Sequence, residues 1–174
     1  GARLFYSKTI RVDKQQHVAD RYWDLFRNWN AHFKLEDLHG MTSSVQAGKV
    51  VMHPGAKWKP RRWMPERYWE LACRMSRAGK TVHILVHPKE EALVRFFHSQ
   101  PSVDGIRIVL TETIQELMDQ IKVCAYFIGN DSGPVHLANL FNKPLSVIWG
   151  PGDLKRIRPL GGNVQIIKIK IDCR

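Results

Sequence analysis

Two stretches of the chain hold residues suited to gripping a phosphate. In "GNDSGP" (129–134) an apolar run stops at Asn130 and Asp131, and a helix-like pattern begins at Pro134. Ser132 and Gly133 leave backbone N–H groups uncovered at that helix start. Orphan donors and the positive end of a helix dipole suit an anion, and glycine lets a ligand come close to the backbone. Asp131 fits less simply, because a carboxylate facing a phosphate repels it; holding the turn by accepting backbone N–H bonds is the other role open to it. The same hexapeptide also reads as an ordinary Asx turn with a Ser cap. The second stretch is "KWKPRRW" (57–63), where Lys57, Lys59, Arg61 and Arg62 crowd into one short loop between Trp58 and Trp63. Arginine binds phosphate through a planar fork and lysine as a point charge. A solvated basic loop is the plain alternative.

Other candidates are weaker. Glu90 or Glu91 could accept hydrogen bonds from a ribose diol, as acids do in nucleotide sites; either could equally be a helix-start carboxylate favoured by the dipole. His53 and His136 could serve as bases or ligand contacts, or simply pack. The remaining histidines form no metal constellation, and Cys73, Cys124 and Cys173 lack metal-ligand spacing, so neither a metal nor a cofactor is expected. The odd cysteine count fits a reduced, cytosolic setting.

These segments need a scaffold that brings them together. From Lys49 onward, strand and helix patterns alternate: strands at "KVVMH", "TVHILVH", "IRIVL", "CAYFIG", "LSVIW" and "VQIIKIKI", the last with the polar alternation of a sheet edge. Helices are expected over Pro65–Ala78, Glu90–His98, Thr113–Lys122 with a Thr113/Glu116 capping box, and Pro134–Phe141. This order predicts an α/β domain with a doubly wound, Rossmann-like parallel sheet and right-handed crossovers. Ligands in such sheets bind beyond the carboxyl ends of the strands, where 54–63, 87–91, 129–134 and "GPGD" (150–153) all fall. Upstream, residues 14–30 read as an amphipathic helix with Val18, Tyr22, Leu25, Phe26 and Trp29 on one face, and 30–48 as a linker. GxGxxG is absent, which argues against a classical dinucleotide dehydrogenase.

Composition sets the outer limits. The 174 residues suffice for one ordinary domain, with 44% hydrophobic and 25% charged residues. No apolar run approaches the roughly 20 residues of a membrane span, and no signal peptide is recognisable. The chain opens on Gly1 rather than Met, so a segment of a longer protein is expected. A net charge of +11 points to an anionic partner. The cations are spread along the chain and no DNA- or RNA-reading motif is present, so no nucleic-acid partner is expected.

"HPGAKWKPRRWMPERYWELA" and "VCAYFIGNDSGPVHLANLFNKPLSVIWGPGD" resemble the lipopolysaccharide heptosyltransferases, the ninth glycosyltransferase family, from about Val50 to Pro159. "HVADRYWDL" is similar to that family's connection out of its first domain. The resemblance implies one half of a two-domain GT-B enzyme. Residues 1–48 would be the interdomain helix and linker leaving an acceptor domain, and 49–174 the domain binding a nucleotide sugar, typically ADP-heptose. The chain stops at Cys173-Arg174, before the terminal helices such proteins usually carry. The family's phosphate-gripping cation falls on Arg61, which would stabilise the leaving diphosphate. Asn130, Asp131, Ser132, Gly133, Pro134 and His136 match the motif at the donor site, Lys57 and Lys59 add charge, and Glu90 falls at the ribose-contacting acid. Lys57 stands where Ser or Thr is frequent, and "VHPKE" replaces a glycine-rich turn. The implied reaction is inverting transfer of a sugar from an ADP-sugar to a lipopolysaccharide core, without a required metal, in the cytoplasm and at the inner face of the bacterial inner membrane; an anionic membrane surface is a further candidate partner. This chain alone would be inactive, lacking the base and the acceptor site. The alternative is a non-catalytic nucleotide-binding or interaction module of the same fold.

Overall fold

The computed structural model describes residues 13, 15–27 and 44–168. Its elements are α1 (Val18–Arg27), β1 (Lys49–His53), a 3₁₀ turn (Lys59–Arg61), α2 (Pro65–Arg77), β2 (Thr81–Val86), α3 (Glu91–His98), β3 (Ile106–Leu110), α4 (Ile114–Lys122), β4 (Tyr126–Asn130), α5 (Gly133–Leu140), β5 (Leu145–Ile148), α6 (Leu154–Ile157) and β6 (Val164–Ile167). The six strands form one parallel sheet in the order β3-β2-β1-β4-β5-β6. The expected α/β architecture is therefore present. The order reverses between β1 and β4, which opens a crevice at their carboxyl ends, the usual ligand position in such sheets.

Both faces of the central strands are buried, which explains their near-continuous apolar runs. Val51, Leu85, Phe127, Leu145 and Val147 pack toward α4 and α5 with Ile121, Val135 and Phe141. Val50, Met52, Val82, Ile84 and Ile128 pack toward α2 and α3 with Tyr68, Leu93 and Phe97. Successive residues alternate between the two cores because strand side chains alternate faces. β6 lies at the sheet edge, as its polar alternation predicts, with alternate residues exposed.

Local signals fix the element ends. Pro65 opens α2, where its missing N–H costs nothing. Gly79, at φ +76°, closes it: Gly79 N–H donates to Ser76 O and Lys80 N–H to Met75 O, the paired bonds of a Schellman turn. The Thr113/Glu116 capping box of α4 is complete. The 3₁₀ turn and the four-residue α6 were not legible in the sequence.

Tyr22, on the apolar face expected of α1, is 59% exposed; among the described elements α1 packs chiefly on the short α6. The side chains of Leu25 and Phe26, Trp29, residues 30–43 of the expected linker and the end of the expected last strand lie outside the described residues. On the α2 side of the sheet an apolar groove of about 1110 Å³ runs past Tyr126, Ile148 and Ile167. No described helix is long and apolar enough to cross a membrane.

Candidate functional site

The site is built from four loop segments at the β1/β4 crevice. The loop after β1 carries Arg61 to within 3.2 Å of Asp131, at the end of β4 (Nε to Oδ2). The Arg61 N–H is not aimed at that oxygen, so the contact is an ion pair rather than a hydrogen bond. Asp131 is 2% exposed, whereas Arg61 keeps 29% of its side chain in solvent. The Trp58 ring backs the guanidinium, with 5.4 Å between its centre and Arg61 Cζ. Lys57, Trp58, Arg61, Asp131, Ser132 and Gly133 line a cleft of about 540 Å³.

α5 begins at Gly133 with an unusual lack of protection. Ser132, its N-cap residue, is fully extended (φ −156°, ψ 170°) and makes no side-chain cap bond. Its hydroxyl donates instead to Asn130 O at 3.2 Å. The Ser-cap alternative is therefore not realised, and Pro134 follows with no N–H to cap. Two cationic side chains thus face an uncapped helix start, which favours an anion.

Asn130 holds this geometry together. It is fully buried, and its Oδ1 accepts from Trp63 N–H at 3.0 Å and Tyr68 O–H at 3.1 Å, while its Nδ2 donates to Pro54 O at 2.7 Å. One side chain thereby ties β4, the loop after β1 and α2. Trp63 packs edge-on against Tyr68, 5.1 Å between ring centres, so of the two tryptophans Trp63 anchors the loop and Trp58 faces the cleft.

The fourth segment explains the second break in the apolar pattern. A Cβ at Gly152 would collide with Asp131 Oδ2, and one at Gly150 would stand 3.0 Å from Arg61 Cα. "GPGD" therefore leans on both members of the ion pair, which only residues without a side chain permit. Trp149 Nε1 donates to Gly152 O at 2.9 Å and Asp153 caps α6, fixing the loop.

A family model described as glycosyltransferase family 9 (heptosyltransferase) matches residues 1–174. The chain belongs to this family. Similar family 9 relatives include lipooligosaccharide heptosyltransferase 2 of Haemophilus influenzae, 28% identical over 67% of this chain and 35% of that protein. The Campylobacter jejuni (strain 81116) protein of the same name is 23% identical over 98% of this chain and 58% of its own length. This chain thus spans roughly a third to somewhat over half of these relatives. Among solved structures, E. coli heptosyltransferase WaaC with ADP superposes at a TM-score of 0.79, with 18% identity over 97% of this chain and 55% of that one. E. coli ADP-heptose lps heptosyltransferase II superposes at 0.72, with 22% identity over 90% and 56%. The fold is that of one Rossmann-like half of a GT-B glycosyltransferase.

In this family 9 chain, Lys59 does not line the cleft, although Lys57 and Arg61 do. Glu90 stands at the N-cap of α3 without capping it, because its Oε1 accepts from Arg62 Nη2 at 2.8 Å. His136 lies on α5; burial lowers its pKa, opposed by the Asp131 charge, and His17 lowers it further. Burial raises Asp131, with Arg61 and His136 pulling it back. His53 is buried at the end of β1, and desolvation lowers its pKa to about 4, so it is a neutral packing residue at pH 7. Among the described residues no group of three or more His, Cys, Asp or Glu could hold a metal. Arg62 and the 150–153 loop, both noted in the sequence, meet protein groups here: Arg62 pairs with Glu90, and Gly150 and Gly152 lie against Arg61 and Asp131; those partners were not legible in the sequence.

Proposed function

We propose that residues 49–174 form the donor-binding half of an inverting glycosyltransferase that moves heptose or a related sugar from an ADP-sugar to a lipopolysaccharide core acceptor. The observation that carries this reading is the Arg61–Asp131 contact beside the uncapped start of α5, at the β1/β4 crevice. The ligand-bound relatives support it: WaaC has been solved with ADP and with ADP-2-deoxy-2-fluoro heptose. In this reading the diphosphate lies between Lys57, Arg61 and the Ser132–Gly133 amides. An acceptor hydroxyl attacks the anomeric carbon, the carbon–oxygen bond to the diphosphate breaks, and Arg61 and the amides take up the charge that builds on the departing oxygen. Preorganised donors in such a position contribute much of a transfer enzyme's rate. Asp131 supports Arg61 from behind rather than meeting phosphate. Residues 1–48 lead in from the acceptor-binding half, which supplies the base, so this chain binds donor and transfers nothing alone. The enzyme works in the cytoplasm at the inner membrane face, where the +11 charge favours the anionic acceptor and surface.

Calorimetric titration of the chain with ADP and ADP-heptose tests the assignment. Saturable binding is expected, weakened about tenfold or more by Arg61→Ala, the scale of a lost charge-assisted contact. Absence of binding at millimolar nucleotide, or an Arg61→Ala variant that binds like wild type, would overturn it.

A further inference from the structure

Asp131 supplies Arg61 with a countercharge but not with a direction. The two lie 3.2 Å apart without a hydrogen bond, so nothing in that contact fixes the plane of the guanidinium. The loop after β1 does more. The Arg61 backbone N–H donates to Trp58 O at 3.0 Å, closing the 3₁₀ turn Lys59–Arg61, and Pro60 stiffens the turn from within. In a 3₁₀ turn the side chains at i and i+3 eclipse. Trp58 and Arg61 have that spacing, and the ring centre lies 5.4 Å from Arg61 Cζ. Gly150 lies against the Arg61 backbone on another side. The Nη groups of Arg61 make no hydrogen bond or ion pair among the described residues. Trp58 is itself 51% exposed and shares the lining of the cleft with Arg61.

We propose that Trp58 is a positioning residue for Arg61: its ring holds the guanidinium in one plane, with the Nη edge turned to the anion in the cleft. The proposal rests on the diphosphate reading of that cleft. Three physical arguments support it. An aromatic ring engages the face of a guanidinium and leaves the N–H donors along its edge free, whereas a second carboxylate would consume them. A fork already held in one plane loses less freedom when it closes on a ligand. The ring also keeps water from one side of the cation, which strengthens its attraction for a phosphate.

The test is calorimetric binding of ADP to the 174-residue chain with Trp58 and Arg61 replaced singly and together. Trp58→Ala should weaken binding about threefold, the scale of a cation–π contact at a partly exposed site. Trp58→Tyr should recover most of that loss. Trp58→Leu, which keeps apolar bulk without a π face, should not. In an Arg61→Ala background, Trp58→Ala should add nothing measurable, because a residue that acts through Arg61 then has nothing to act on. Losses that multiply in the double variant would mean that Trp58 touches the nucleotide directly or merely shapes the loop, and would overturn the positioning role. A Trp58→Ala or Trp58→Leu chain with wild-type affinity would overturn it as well. Each of these results spares the diphosphate reading, whereas a wild type that does not bind ADP would overturn both.

Discussion

Gly152 shows how tightly single atoms constrain the cleft. It needs no left-handed backbone; its constraint is the Asp131 carboxylate occupying the space of a Cβ. Gly152→Ala must therefore push the acid or the loop aside. The expected outcome is a loss of roughly 1–3 kcal/mol in urea denaturation, the usual cost of overpacking, together with weaker ADP binding as Arg61 loses its support. An alanine variant with wild-type stability and affinity would show that the loop yields freely. Asn130 stands at the same scale: the sequence placed it in a phosphate loop, but its amide is occupied by three protein partners. A buried asparagine and a ligand-facing one are spelled alike, and only the fold separates them.

At the scale of elements, the helix starts divide into capped and open ones. Thr113 caps α4 through a reciprocal box, whereas Ser132 stands at the corresponding position of α5 and caps nothing. Thr113→Ala should cost about 1 kcal/mol, while Ser132→Ala should cost no more than a few tenths, read from the two urea midpoints. Equal losses would mean that the Ser132 hydroxyl supports α5 in solution. Helix and strand positions were legible because apolar periodicity and punctuation agree, as at Pro65, Gly79 and Thr113. The 3₁₀ turn at Lys59–Arg61 and α6 were not, being too short for a period to register. Arg61 was legible as a cation on a strand-end loop, but its partner was not: the Asp131 contact spans 70 positions of chain and depends on β1 pairing with β4.

For the whole molecule, the sign of the pH dependence follows from its buried histidines. Burial lowers His53 from 6.5 to about 4, and the shifts of His83 and His136 have the same direction. A folded-state pKa below the unfolded one stabilises fully above the unfolded value, and the gain is lost as pH falls toward the folded value. Stability should therefore drop between about pH 6.5 and 4, by roughly 3 kcal/mol from His53 alone. Asp131, raised by burial, works in the opposite sense and offsets part of this. Urea denaturation at several pH values should show a shallower acid limb for His53→Gln; an unchanged limb would assign the effect elsewhere. The apolar groove on the α2 side also touches Pro60, Arg61, Arg62 and Gly150. A detergent or lipid tail lodged in that channel would press on the reverse side of both arginines, so amphiphile carried through purification would register as altered nucleotide affinity rather than as inert background.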